Sequence, residues 1–192
     1  MSEAIFHFRK AVELSPDYAD AQYNLGTALF REGRLDEAIA CWQKAISIRR
    51  DDADAHANLG HALVQKRRPG EAVAHFEKAL EIAPQAPETL NNFAWLLSTC
   101  SEAQLRNGSR AIQLAQQAEQ LSGGKNPVFV RTLAAAYAES GRFKDATDTA
   151  RRASELAVAR GDSVLASELR MDIDLYQMNF PVREQRIHKA TP

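Results

Sequence analysis

Small and apolar residues recur along this chain at a shift of 34 positions, within helical patterns of period about 3.6. Asn24-Leu25-Gly26 returns as Asn58-Leu59-Gly60, and at the same shift Ala38 maps to Ala72, Trp42 to Phe76 and Ala45 to Ala79. The pattern predicts helices over about 3–14, 19–32, 35–48, 53–66, 70–82, 87–100, 109–121, 127–140 and 143–160. A tenth, over about 163–177, carries Leu165, Leu169, Ile173 and Tyr176 as one apolar stripe, with Ser167, Glu168, Arg170 and Asp174 on its other faces. Glu32-Gly33-Arg34 and Ser140-Gly141-Arg142 place glycine just past a helix end, while Pro16 and Pro84 stop helices. Arg67 stands where a turn glycine is expected, with Pro69-Gly70 behind it, so a remodelled turn is expected there.

A 34-residue period with small residues at fixed sites resembles the tetratricopeptide repeat, a helix–turn–helix unit. The resemblance divides the chain into a half repeat (3–18), repeats at 19–52, 53–86, 87–126 and 127–160, and a capping helix at 162–177. The third repeat carries an insertion around Ser101–Gly108, and the array as a whole spans 1–177. A basic tail, 178–192 with Arg183, Arg186 and Lys189, is expected to be mostly disordered. The implied fold is all-α: a right-handed α-solenoid of antiparallel helix pairs, closed by a helix that covers the last apolar face. In such repeats Gly or Ala at the eighth position lets paired helices approach, and a large residue at the twenty-fourth fills the gap. Phe8, Trp42 and Phe76 supply it early in the chain; Ala115 and Ala150 replace it later, so packing there must differ. The stretches 91–100, 107–127 and 132–146 also resemble a segment near the C-terminus of long bacterial repeat proteins, which implies a bacterial origin and a larger parent chain.

Composition removes several function classes. Lys and Arg number 24 against 25 Asp and Glu, a net charge of −1, so there is no global electrostatic attraction to nucleic acid. Two cysteines, Cys41 and Cys100, form neither a disulfide framework nor a four-ligand zinc site. His56 and His61 are five apart, off the i, i+4 spacing of a helical metal pair. Phosphate-loop, zinc-protease and nucleophile-elbow patterns do not occur, so no catalytic residue, metal or cofactor is assigned. Asp51-Asp52 reads as helix capping. With no apolar signal core in residues 1–14 and no long apolar run, neither secretion nor membrane insertion is expected, and the cytoplasm is the expected location.

In the family this chain resembles, positions 2, 5, 6, 9, 12 and 13 of each first helix face a concave groove. Carried onto this sequence, they give candidate partner contacts at Tyr23, Asn24, Thr27, Arg31, Asn58, His61, Gln65, Asn92, Trp95 and Arg131. Asn24, Asn58 and Asn92 form a series resembling the asparagine ladder of O-linked N-acetylglucosamine transferase repeats. Carboxamides both donate and accept, so such a series suits a peptide backbone; bonding within the chain's own superhelix is the alternative. Tyr23, Phe30 and Trp95 add aromatic anchors, although Phe30 can equally pack against the neighbouring repeat. Asp20, Asp54 and Glu88 oppose a carboxylate ligand, which argues against capture of a chaperone C-terminus. The expected function is a non-catalytic scaffold that holds a protein or peptide partner. The alternatives are the accessory repeat portion of a larger enzyme, and a homodimer formed through an open face of the first helix at Ile5, Phe8 and Val12.

Overall fold

The computed structural model describes residues 3–184, which hold ten α-helices and no strand. The described residues divide into two compact units that meet between Pro84 and Gln85 in sequence. The first contains α1 (Glu3–Leu14), α2 (Ala19–Arg31), α3 (Leu35–Ile48), α4 (Ala53–Gln65) and α5 (Pro69–Ile82). The second contains α6 (Pro87–Thr99), a 3-10 turn at Ala103–Leu105, α7 (Gly108–Leu121), α8 (Pro127–Glu139), α9 (Phe143–Ala159) and α10 (Ser163–Gln177). Each unit is a solenoid of helix pairs, α2/α3 and α4/α5 in the first, α6/α7 and α8/α9 in the second.

The first unit packs large rings against missing side chains. Trp42 and Phe76 are fully buried and lie over Gly26 and Gly60, where an added Cβ would stand 2.8 Å from Trp42 Nε1 and 3.0 Å from Phe76 Cε1. Leu25, Leu29, Leu59 and Leu63 complete the core, with Ala38, Ala45, Ala72 and Ala79 keeping the helix contacts close. Asp52 caps α4 by accepting from the Ala55 amide at 2.9 Å, and Pro69 opens α5 at a position whose N–H would go unused.

Two expectations change here. The α4–α5 turn is not remodelled: Arg67 takes φ +57°, beside +75° at Gly33 and +74° at Gly141. Its amide reaches Val64 O and the Arg68 amide reaches Leu63 O, as the Gly33 amide reaches Phe30 O and the Arg34 amide reaches Leu29 O. The flanking helices therefore impose the left-handed conformation on an arginine. Ile5 is the second correction. It is 0% exposed, so it belongs to the core α1 makes with α2, not to an open face. Phe8 and Val12 are half-buried, and the large apolar residues α1 does expose are Phe6 and Leu14.

The second unit packs its helix pairs with small residues on both sides. Ala94 and Ala134 stand at the glycine positions, Ala115 and Ala150 at the ring positions, and all four are fully buried. Tyr137 fills the margin of the clusters these residues form. Asn107, Asn126 and Asp162 cap α7, α8 and α10 by accepting from the amides of Arg110, Val128 and Leu165. Leu165, Leu169 and Tyr176 of α10 bury against Ala146, Ala150, Ala153 and Ala157 of α9, with Ile173 partly buried beside them.

The chain does not leave the fold at residue 178. Asn179, at φ +59°, turns it back, and Val182 is buried in the cluster that holds the α8 and α10 core residues. Arg186 and Lys189, the other basic residues of the expected tail, lie outside the described residues.

Candidate functional site

The predicted groove residues of the first unit come together on α2 and α4. Tyr23, Thr27, Asn58 and His61 are half-buried, and Asn24, Arg31 and Gln65 are exposed. Helical spacing explains the grouping, because these positions lie opposite the buried stripe of Leu25, Gly26 and Leu29 and its counterpart on α4. Asn58 Nδ2 donates to the Tyr23 hydroxyl at 3.2 Å, linking the two helices. Thr27 Oγ1 turns inward to its own helix, donating to Tyr23 O at 3.0 Å. Gln65 and His61 meet at 3.3 Å through Nε2 atoms, and the His61 ring tilts against Phe30 at a centroid distance of 5.5 Å. Phe30 also meets Trp42 at 5.6 Å, so it forms the floor under His61.

Burial lowers the pKa of His61, so near neutral pH the ring is an uncharged donor and acceptor. The acidic flank is not bare, since Asp20 pairs with Arg49 at 2.8 Å and Arg49 also binds Asp52. What remains is a surface of carboxamide, hydroxyl and imidazole groups over an aromatic floor, with the exposed Arg31 beside them. Such groups can hydrogen-bond a peptide backbone. The Asn58 side chain spends one N–H on Tyr23 and makes no other hydrogen bond among the described residues.

A second histidine feature lies outside this face. His56 Nδ1 and His75 Nδ1 are 2.9 Å apart, joining α4 to α5, and His56 Nε2 meets Arg50 O at 3.2 Å. Since Arg50 O can only accept, His56 Nε2 carries a proton there, and His75 Nδ1 donates to His56 Nδ1 when both rings are neutral. Burial pushes both thiols, Cys41 and Cys100, above their ordinary pKa, which leaves them poorly nucleophilic. No group of three or more metal-ligating side chains occurs among the described residues.

In the second unit the predicted contacts separate. Asn92 and Trp95 are half-buried on α6, and Asn92 accepts from its neighbour Asn91 at 3.5 Å. Arg131 is a correction: it is buried, its Nε donates to Asp172 Oδ2 at 2.7 Å, its Nη1 binds Glu168, and its guanidinium lies 5.3 Å over the Trp95 ring. Helix α10 supplies both carboxylates, so Arg131 is a structural cation and not a partner contact. Burial works against its charge, but Asp172 and Glu168 outweigh that and raise its pKa. Sequence reasoning placed Glu168 on an outer face of α10 and passed over Asp172. The available signal was their i, i+4 spacing, which puts two acids on one stripe of that helix.

Models of the tetratricopeptide repeat match residues 1–33, 26–66, 53–85 and 127–152, which together take in more than half of the chain. No curated protein matches it in sequence. Among solved structures it is similar to MamA, at 16% identity over 83% of this chain and 84% of that one, with a TM-score of 0.68. It is similar to YrrB, described as a TPR protein with an unusual peptide-binding site, at 20% identity, 87% and 81% coverage and a TM-score of 0.69. It is also similar to TTC0263, a thermophilic TPR protein of Thermus thermophilus, at 18% identity, 91% and 89% coverage and a TM-score of 0.63. At these identities the likeness is one of fold. No helix among the described residues is long and apolar enough to cross a membrane.

Proposed function

The chain belongs to the tetratricopeptide-repeat family, and from that premise we propose that it is a non-catalytic scaffold whose α2–α4 face holds an extended segment of a protein partner. The observation that carries this reading is the Tyr23–Asn58 pair. It fixes a carboxamide between two helices with hydrogen-bonding capacity to spare, flanked by exposed Asn24 and Gln65 and floored by Phe30. A peptide strand needs alternating donors and acceptors, and Asn, Gln and neutral His offer both. The peptide-binding site described for YrrB, on the same fold, supports the reading. An affinity on the order of micromolar, about −8 kcal/mol, suits a short segment held this way.

Panning a random-peptide library against the full chain tests it. Peptides recovered should lose about tenfold or more in affinity against Tyr23→Ala and against Asn58→Ala, while thermal melting of each variant stays near that of the parent. Peptides that bind both variants as well as they bind the parent would move the site elsewhere.

A second reading rests on Phe6 and Leu14, which α1 exposes at 47% and 83%. Two apolar side chains on one short helix suit self-association, with half-buried Phe8 and Val12 beside them. Light scattering across a tenfold concentration range tests this, and a constant monomer mass sinks it.

A further inference from the structure

The two units differ in how open their first-helix faces are. On α2 and α4 the residues at these positions are exposed or half-buried. On α6 and α8, Ser98, Thr99, Thr132, Ala135 and Ala138 are all buried. Part of that cover comes from α10, through its salt bridges to Arg131. The segment that follows α10 lies on this face as well, and it makes two kinds of contact. Val182, 3% exposed, enters the cluster that contains Ala134 and Ala138, with Trp95 at its edge. Arg183 Nη1 donates to Ser98 O at 3.1 Å, and its Nη2 lies 2.7 Å from Glu139 Oε2.

An aliphatic side chain in an apolar recess followed by a guanidinium on a carboxylate is how a peptide ligand is held. The hold is also incomplete. Pro181 has no N–H to donate to the face it lies on. Glu139 Oε2 is buried yet receives no aligned hydrogen bond, because the Arg183 contact is an ion pair of poor angle. Arg183 Nη1 is also shared with Val182 O at 3.0 Å. Glu139 Oε1, by contrast, is well served by Arg106 Nε at 2.9 Å. The site thus retains an acceptor that a better-placed arginine would satisfy.

We propose that Val182-Arg183 is an intramolecular ligand of the α6–α8 face, and that this site takes, in exchange, a segment of another protein presenting an aliphatic residue followed by arginine. The chain's own segment keeps the site covered until such a competitor displaces it. Ser98 O and Glu139 recognise the guanidinium, and the alanine-lined recess beside Trp95 selects a side chain the size of valine. This inference goes beyond the α2–α4 reading and uses none of its residues.

The test is a titration of the full chain with a labelled peptide of residues 178–184, MNFPVRE. The parent, with its site occupied, should bind weakly, and Val182→Ser with Arg183→Ser should bind at least about tenfold more tightly. Adding Glu139→Gln should remove about tenfold of that gain, as should replacing the peptide's arginine by glutamine. Arg183→Gln alone, which keeps the Val182 anchor, gives a second reading on a chain closer to the parent and should show a smaller gain in the same direction. Equal binding by the parent and both variants overturns the proposal, as does a gain indifferent to Glu139→Gln. Tighter binding accompanied by a doubled mass in scattering would also overturn it, by showing exchange between copies in place of capture. The α2–α4 variants Tyr23→Ala and Asn58→Ala should leave this titration unchanged, which keeps the two sites separable.

Discussion

The indole of Trp42 lies over the bare α-carbon of Gly26, so near that a Cβ there would stand 2.8 Å from Nε1 and 2.9 Å from Cδ1. Trp42 is 1% exposed and cannot swing into solvent to make room. Gly26→Ala should therefore destabilise the first unit by about 1–3 kcal/mol, even though alanine is the better helix former by roughly 1 kcal/mol. Urea denaturation measures it. The same substitution in a Trp42→Leu background should cost less, and equal costs in the two backgrounds would show that the ring is not the obstacle.

Arg67 holds a left-handed backbone that an L-residue adopts at a cost of about 1–2 kcal/mol. Glycine takes it without that cost but loses more entropy on folding. Arg67→Gly should raise stability by a net of roughly 0.5–1 kcal/mol, whereas Arg67→Val should lower it because branching at Cβ worsens the clash. The α4–α5 contacts need no change in either variant, so m-values should stay constant while midpoints move in opposite directions.

These two positions show what the sequence carries and what it does not. Gly26 and Trp42 are legible because the 34-residue period repeats them as Gly60 and Phe76, and the physical need, one small and one large residue, is local to a helix pair. Helix bounds follow for the same reason, through Asp52, Pro69 and the turn glycines. Arg67 is not legible, since its φ is imposed by the helices on either side and not by its own preference. The candidate site divides likewise. Tyr23 and Asn58 share a face by periodicity alone, but Arg131 occupies the same register and is removed from solvent by carboxylates 37 and 41 residues further on. Val182 carries no periodic signal, because its neighbours Met178 and Phe180 are apolar too and stay exposed, and only the reversal at Asn179 brings Val182 back.

His75, held against His56, makes the first unit sensitive to acid. Burial is the larger reason that His75 lies below its ordinary pKa near 6.5, the charge of a protonated His56 is the next, and Glu71 opposes both. A lowered pKa means that the folded state binds fewer protons than the unfolded one, so stability is full above the ordinary value and falls as pH drops from there towards the lowered one. His61, lowered by burial, acts in the same sense. Urea midpoints at pH 7.5 and 5.5 should therefore differ in the parent, less so in His75→Gln, and least in His75→Gln with His61→Gln. An undiminished difference in the double variant would place the acid response elsewhere.

Asp172 responds to pH with the opposite sign. Burial raises its pKa, Arg131 draws it down, and Glu168 pushes it up again because two carboxylates share one guanidinium. A raised carboxylate pKa means that the folded state holds the proton more tightly. The stability contributed by this group is therefore largest at low pH and declines as pH rises from the ordinary Asp value through the raised one. Subtracting the profile of Asp172→Asn from that of the parent isolates the effect, and the difference should fall as pH rises through that window. The asparagine keeps an acceptor for Arg131, so Asp172→Asn should itself be mild. Arg131→Ala should not be, because it leaves two carboxylates without their cation and strips the charge from over Trp95. A loss on the order of 3–5 kcal/mol is expected at pH 7, partly recovered at lower pH as the acids protonate. A small, pH-independent loss in Arg131→Ala would mean that α10 is held by Leu165, Leu169 and Tyr176 alone, and that the buried cation contributes nothing to the capping of the second unit.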